Sequence, residues 1–236
     1  MKNVDNPVYL LPPREENTFR GARQFMHRWD FFKSREAPSA RGLMRTDVKV
    51  SPVGNINIGG TNRASLSMIF VASQDGFFDA IEPCVRNLVR FFAVDLDFIT
   101  YTSCEGHHYR DRGEADERHV GILPRDDIER AAIWNGFVEA STEWNQRCAD
   151  LPIAVGFMDG TVRDDSALLP TVDIYLTKRP DATWDSYFIA IDLATVILID
   201  ILSCCHRSGF FDIARQTKKR ATQTPTGTEA MKYRTI

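Results

Sequence analysis

The chain has 236 residues, of which 43% are hydrophobic and 26% are charged. This composition is typical of a globular domain that folds without stabilising cross-links. The 29 basic and 32 acidic residues give a formal net charge of -3, which excludes a global electrostatic preference for nucleic acid or anionic membranes. Any such contact must therefore be local, and the length predicts a single α+β core with appended segments.

The sequence contains five cysteines, an odd number, and two of them are adjacent. Residues 1–11 lack the basic and apolar segments of a signal peptide, so we expect reduced thiols and a cytoplasmic protein. Residues 188–202 are the one stretch that resembles a membrane helix. They are too few to span a bilayer, and Asp192 and Asp200 would each cost about 2.5–3.5 kcal/mol at its centre. The stretch predicts a buried helix and no membrane partner.

The first part of the chain, residues 1–64, has an irregular character. Prolines interrupt it repeatedly, and only residues 18–34 show the three- and four-residue apolar spacing of a helix. We predict an N-terminal extension with one helix, which wraps the core that follows.

Secondary structure is better defined from residue 65 onward. Residues 65–73 predict a buried strand, and the apolar positions of 77–94 lie on one face of a helix that Pro83 interrupts. The segments 97–103 and 118–123 predict two strands joined in a long hairpin.

A second helix is predicted over residues 126–148, with the Asp126 side chain as its cap. The segments 151–158 and 171–177 then predict two strands, joined by a loop that begins at residues 159–160. A final helix is expected from about Asp181 to about Gly209.

The element order from residue 65 is β-α-β-β-α-β, which is the split βαβ pattern of ferredoxin-like sandwiches. One more strand and the C-terminal helix follow it. We therefore predict an α+β fold of ferredoxin-like type, with the helices 77–94 and 126–148 on one face of the sheet. The predicted divisions are an extension (1–64), a core domain (65–212) and a mobile basic and polar tail (213–236). Such a fold serves many functions and does not decide the activity.

The densest group of polar side chains lies in the hairpin connection, residues 102–122, which holds three of the five histidines. Cys104 and His107 are spaced so that a thiolate and an imidazole can bind one metal ion, since Gly106 lets the backbone turn back. His119 begins the returning strand and supplies a third ligand if the hairpin closes.

A second group of candidate ligands ends the last helix, and zinc sites are commonly assembled from two half-sites distant in sequence. The predicted zinc ligands are Cys104, His107, His119, Cys205 and His206. Their spacing matches no recognised zinc motif. The alternative is a solvated, charge-rich loop, with Cys204 or Cys205 buried as a small apolar residue.

The same loop supports an enzymatic alternative, a small metal- or thiol-dependent hydrolase or nuclease for a phosphoester or nucleotide. In the thiol version, Cys104 is the nucleophile, His107 or His119 is the base, and a loop carboxylate such as Glu105 orients the base. A magnesium site is a further alternative, although aspartates in turns more often serve the turn itself. Its candidate ligands are Asp159, Asp164, Asp165 and Asp173.

Basic residues accompany aromatic residues in the N-terminal helix, and a basic group recurs in the tail. This pattern suits a partner helix or a nucleic-acid backbone. The basic residues are Arg20, Arg23, Arg28, Lys33, Lys218, Lys219 and Arg220. The competing interpretation is a helix with a basic outer face whose aromatic side chains enter the core. The sequence favours a non-catalytic subunit or binding module of a cytosolic complex, with a protein partner or a second copy of itself.

Overall fold

The computed structural model describes residues 9–11, 17–18, 21–33, 49–50, 56–57, 71–74, 76–111, 113–165 and 167–212. The strands within these residues are β1 (Tyr9–Leu10), β2 (Asn17–Thr18), β3 (Lys49–Val50), β4 (Ile56–Asn57), β5 (Ile99–Cys104), β6 (His107–Tyr109), β7 (Glu114–Asp116), β8 (Arg118–Leu123), β9 (Ile153–Asp164) and β10 (Ala167–Lys178). The helices are α1 (Ala22–Lys33), α2 (Arg86–Arg90), α3 (Asp127–Arg147) and α4 (Trp184–Arg207), and a π-helical turn, Phe91–Asp95, continues α2.

Four long strands form an antiparallel sheet in the order β9-β10-β8-β5, and β1 and β2 pair in parallel with β9. The predicted long hairpin is confirmed, because β5 pairs with β8 from Ile99 to Cys104. Its connection forms a second hairpin of β6 and β7.

The turn between β9 and β10 lies beyond the position predicted for it. The two strands pair along their full lengths, and the chain reverses at Asp165, which has a φ of 51°. The prediction of a loop at residues 159–160 was therefore wrong. β9 continues past Gly160 because Val162 is buried and also pairs with β2.

The mixed α+β class is confirmed, whereas the ferredoxin-like arrangement is not. That arrangement would place the strand predicted at 65–73 between 118–123 and 151–158. In the structure β10 occupies this position, bonded to β8 on one side and to β9 on the other. A short connection favours pairing of consecutive strands, and β9 and β10 are joined by a tight turn. Residues 65–70 lie outside the described residues, and 71–73 are not in a strand.

The helices α3 and α4 lie on the same face of the sheet. Phe157 of β9 packs against Phe137 of α3, with ring centroids 6.1 Å apart. Arg118 of β8 shares this face by strand register and reaches Asp192 of α4 at 2.9 Å. The π-helical turn packs on the same side, because its Phe92 ring lies 5.7 Å from that of Phe137.

The helix predicted over residues 77–94 is broken. Residues 76–80 and 83–85 form turns, and regular helix begins only at Arg86. Pro83 explains the break, since it has no N–H to donate and its ring clashes with the preceding turn of a helix. Glu82 therefore lies in a turn and not on a helix surface.

The helix α1 packs three of its four Phe and Trp side chains into the core, and the fourth, Phe31, is 40% exposed. Phe25, Trp29 and Phe32 are buried, and Trp29 packs edge-to-face on Phe77. Arg23 is exposed on the outer side. This supports the interpretation of a basic outer face on a core helix. Arg20, Lys218, Lys219 and Arg220 lie outside the described residues.

Side-chain caps begin both long helices. Asp126 accepts hydrogen bonds from the N–H groups of Ile128 and Glu129, at 2.9 and 2.8 Å, which confirms the predicted cap. A capping box of Thr183 and Ser186 starts α4 at Trp184, a few residues later than predicted.

Among the described residues, α4 is the one helix long and apolar enough to cross a membrane by length and composition. Its most apolar window has a mean hydropathy of 2.3, and 39% of that window is buried. The predicted buried helix is therefore buried on one side only.

Candidate metal centre

The bend between β5 and β6 brings Cys104 and His107 together. β5 ends at Cys104, and the chain turns at Gly106, which has a φ of +88°. A Cβ atom at this position would lie 3.2 Å from the Asp116 carbonyl oxygen and 3.3 Å from the Arg118 nitrogen. Both the positive φ and the tight space therefore require glycine. The bend is a local consequence of the sequence Cys-Glu-Gly-His.

Glu82, from the turn before α2, is the third member of the group. Its Oε1 lies 3.0 Å from His107 Nε2, and its Oε2 accepts a hydrogen bond from the Glu105 N–H at 2.8 Å. The ligand atoms of Glu82, Cys104 and His107 all lie within 4.8 Å of one another. We call these three residues the Glu82 cluster. A carboxylate, a thiolate and an imidazole this close could hold one metal ion.

The cluster is partly buried and rich in acceptors. The Glu82 side chain is 11% exposed and that of His107 is 33% exposed. Burial raises the pKa of the Cys104 thiol to about 12; the Gly106 N–H acts against this, and the Glu82 and Asp116 carboxylates add to it. No described hydrogen bond or ion pair joins a Lys or Arg side chain to the three cluster residues. Within the described part of the chain, the group therefore has no bound permanent cation.

Contacts to Glu105 hold the bend in place from two sides. Its carboxylate accepts a hydrogen bond from the Cys84 N–H at 3.0 Å, and its carbonyl oxygen accepts one from Arg118 Nε at 2.8 Å. The Arg118 side chain is only 3% exposed and also donates to Thr195 of α4 at 2.6 Å. The cluster is thereby fixed relative to the sheet and to α4.

His119 lies close to the cluster without joining it. It is the register partner of Cys104 across β5 and β8, as the closed hairpin requires. Its ring stacks on Tyr175, with centroids 4.9 Å apart, and its Nδ1 lies 3.3 Å from the Glu117 carbonyl oxygen. Glu82 takes the place in the group that the sequence had suggested for His119.

Comparison with known proteins adds no further constraint. No family model, curated protein or solved structure matches the chain. The function must therefore be argued from the geometry of the chain's own residues.

Cys205 and His206, which the sequence suggested as further ligands, are not brought to the Glu82 cluster. Phe188, near the start of α4, contacts the bend, since a Cβ on Gly106 would lie 3.4 Å from its ring. Cys205 is near the end of the same helix, roughly 25 Å farther along at 1.5 Å per residue. A straight helix keeps these two ends apart. Burial and the carboxylates of Glu139 and Glu143 raise the pKa of Cys205 to about 12.

The aspartates considered for magnesium are dispersed into separate contacts. Asp159 pairs with Arg130. Asp164 accepts a hydrogen bond from the Gly21 N–H at 2.7 Å, and Asp173 accepts one from the Tyr101 hydroxyl at 3.0 Å. The described residues therefore contain no magnesium site built from these aspartates.

Sequence patterns gave no direct indication of Glu82. It lies more than twenty positions before Cys104, in a segment that the apolar spacing assigned to a helix. The usable signal was Pro83, because a proline early in a helical pattern predicts a break there. Such a break predicts that the neighbouring side chains leave the helix, but it does not predict where they go.

Proposed function

We propose that the protein is a non-catalytic binding module whose hairpin loop is stabilised by zinc at the Glu82 cluster. The observation that carries the proposal is the convergence of a carboxylate, a thiol and an imidazole with no Lys or Arg side chain bound to them among the described contacts. Thiolate and imidazole together favour zinc over magnesium or calcium, which prefer oxygen ligands.

The bound ion would connect two parts of the chain that are far apart in sequence. Glu82 belongs to the turn before α2, whereas Cys104 and His107 belong to the bend after β5. Since Arg118 already joins this bend to α4, the ion would complete a bridge between the turn, the sheet and the last helix. Zinc would supply positive charge to a group that has an excess of acceptors.

The cytoplasm is the proposed location. All five cysteines lie in the described residues, and none forms a disulfide. Free thiols and a thiolate-bound metal both suit a reducing compartment.

The proposal is tested by measuring the metal content of the purified protein, with the thiols kept reduced, by mass spectrometry. We expect close to one zinc ion per chain and its loss in Cys104→Ser and His107→Ala. Cys84→Ser is the matched control, because this exposed thiol is adjacent to the cluster in sequence but outside it. A wild-type protein without metal, or variants that keep zinc, would show the proposal to be wrong.

A metal-dependent hydrolase is the second candidate, and one observation favours it. Three protein ligands leave a coordination position for water, as in catalytic zinc sites, and the His107 side chain is partly exposed. The metal-free thiol mechanism is disfavoured, because a thiol with a pKa of about 12 is almost fully protonated at neutral pH. Glu105 also bonds the Cys84 N–H and not a histidine, so it does not orient a base.

The variant His107→Ala distinguishes the two candidates. A structural ligand should lower the melting temperature and release zinc when it is removed, since the free energy of metal binding is also folding free energy. A catalytic group should leave the melting temperature nearly unchanged and lower a hydrolytic rate by about 10²–10⁴. We expect the first result, together with weaker partner binding.

A protein partner is favoured over nucleic acid. Three aromatic side chains of α1 are buried and cannot stack on bases. On the outer side, Arg23 supplies one charge and Phe31, 40% exposed, supplies a single ring, which together give weak and salt-sensitive contacts.

A further inference from the structure

The outer side of α4 carries an apolar stripe of three residues. Ile189, Leu193 and Val196 are 85%, 57% and 64% exposed. Their spacing of four and then three residues places them along one side of the helix. The stripe amounts to a few hundred Å², which is the size of the largest apolar patches on monomeric proteins, and such patches often mark interaction sites.

Three carboxylates border the stripe, and each already has a cationic partner in the same chain. The pairs are Asp185 with Arg110 at 3.2 Å, Asp192 with Arg118 at 2.9 Å, and Asp200 with Arg147 at 3.4 Å. The border is thus close to electrically neutral, and it offers little attraction to a strongly basic or acidic partner. It also allows a second, identical surface to approach without repulsion between like charges.

We infer that a second copy of this chain covers the stripe, through a two-fold contact between the α4 helices. A two-fold interface is self-complementary, so the stripe of one copy faces the stripe of the other. The four-and-three spacing is that of a helix-pairing seam, in which each side chain inserts between those of the facing helix. The inference does not depend on the zinc site.

The size of the stripe sets the expected strength of the contact. A stable dimer buries roughly 800 Å² per partner, and the stripe supplies about half of that. The paired carboxylates and arginines at its border would form the polar rim. We therefore expect a reversible dimer with a dissociation constant on the order of micromolar.

A lipid bilayer is the competing occupant, and the packing of α4 disfavours it. The inner side of the helix forms part of the core, with Tyr187, Leu198 and Leu202 fully buried. Crossing a membrane would expose these side chains and break the contacts to α3 and to the sheet. The paired border also offers no net positive charge to attract anionic lipid.

Sedimentation equilibrium of the full chain tests the inference. Protein concentrations from about 1 to about 200 µM span the dissociation constant expected for the dimer. Wild type should change from monomer to dimer within this range. Leu193→Glu and Val196→Glu should each raise the dissociation constant about 100-fold or more, because the two-fold axis brings the new charges together in an apolar contact. Leu168→Glu is the matched control, since Leu168 is 52% exposed on β10, and it should dimerise like wild type.

Three results would overturn the inference. The first is a wild type that stays monomeric at every concentration, and the second is a dimer that both α4 variants preserve. The third is a monomer that binds neutral phosphatidylcholine vesicles through residues 193 and 196. Zinc content and the circular dichroism spectrum are measured on the same samples, so that misfolding or metal loss is not mistaken for loss of the dimer.

Discussion

Two polar clusters of this protein, each with a buried or partly buried glutamate, balance their charge differently. In the Arg125 cluster, one guanidinium contacts Glu129 at 2.7 Å, Asp30 at 2.8 Å and Asp97 at 3.7 Å. In the Glu82 cluster, a carboxylate, a thiol and an imidazole meet without a bound Lys or Arg side chain among the described contacts. The first cluster contains its own cation, whereas the second, as far as the described residues show, could hold one from solution.

Two clusters that each contain a shielded glutamate therefore need not have similar roles. Burial raises the pKa of Glu129, and the hydrogen bonds and charge of Arg125 oppose that rise. The cluster is thereby a structural contact with its own cation, and it joins α1, α3 and the segment before β5. Among the described contacts the Glu82 cluster has no such internal cation, and this makes it the better candidate for a metal ion.

The largest expected effect comes from removing the internal cation. Arg125→Met leaves the Glu129 side chain, which is only 3% exposed, with a backbone hydrogen bond but without its guanidinium partner. We expect a loss of about 3–5 kcal/mol in the free energy of unfolding, as for a broken buried ion pair. Denaturant unfolding measures this loss. The double variant Arg125→Met with Glu129→Gln should recover part of it, and a single variant within 1 kcal/mol of wild type would contradict the comparison.

The second-largest expected effect on the free energy of unfolding comes from adding zinc to the Glu82 cluster. Free zinc at 100 times its dissociation constant should raise the free energy of unfolding by about 2.7 kcal/mol, because it binds the folded chain. Unfolding curves with zinc and with a chelator give the difference. Cys104→Ser should abolish it and Cys84→Ser should not. An equal response in both variants would place the ion elsewhere.

A third site stabilises a carboxylate mainly with backbone N–H groups. Asp164 accepts hydrogen bonds from the Gly21 and Arg23 N–H groups at the start of α1, at 2.7 and 3.0 Å. Asp164→Ala should cost about 1 kcal/mol, the usual cost of losing a helix cap. The exposed Asp150, changed to Ala, is the control.

The same contact predicts a pH dependence. The hydrogen bond from the Arg23 N–H, with that from Gly21, holds the pKa of Asp164 below its usual range. The stabilisation is therefore complete above the pKa of the unfolded chain and is lost as the pH falls through the lower, folded value. The cost of Asp164→Ala should shrink as unfolding is measured at decreasing pH below about 4. A cost that stays constant would mean that the carboxylate charge contributes nothing.

The smallest expected effect is at an exposed pair. Arg130 and Asp159 form an ion pair whose side chains are 36% and 40% exposed. Arg130→Met should cost at most about 1 kcal/mol, and that cost should decrease at high salt, since water and ions screen exposed charges. Unfolding at low and high ionic strength measures both quantities. A cost as large as that of Arg125→Met would remove the distinction between buried and exposed pairs.

The sequence by itself determined the elements that depend on neighbours along the chain. Alternating residues predicted the hairpin of β5 and β8, and Asp126 predicted the start of α3. The spacing of Cys104 and His107 around Gly106 located the bend of the candidate site. The hairpin depends on the alternation of apolar side chains, the helix start on a capping side chain, and the bend on a positive φ. All three are set by residues close together in the sequence.

Only the tertiary structure decided what depends on distant partners. Local periodicity does not state which strands become neighbours, and the sequence therefore did not show that β10 lies between β8 and β9. It did not bring Glu82 to the bend, and it placed Cys205 in a site from which the length of α4 separates it. Many tertiary contacts are compatible with the same local pattern. Strand pairing and core packing select among them, because the free energy of burying apolar surface depends on the whole assembled core.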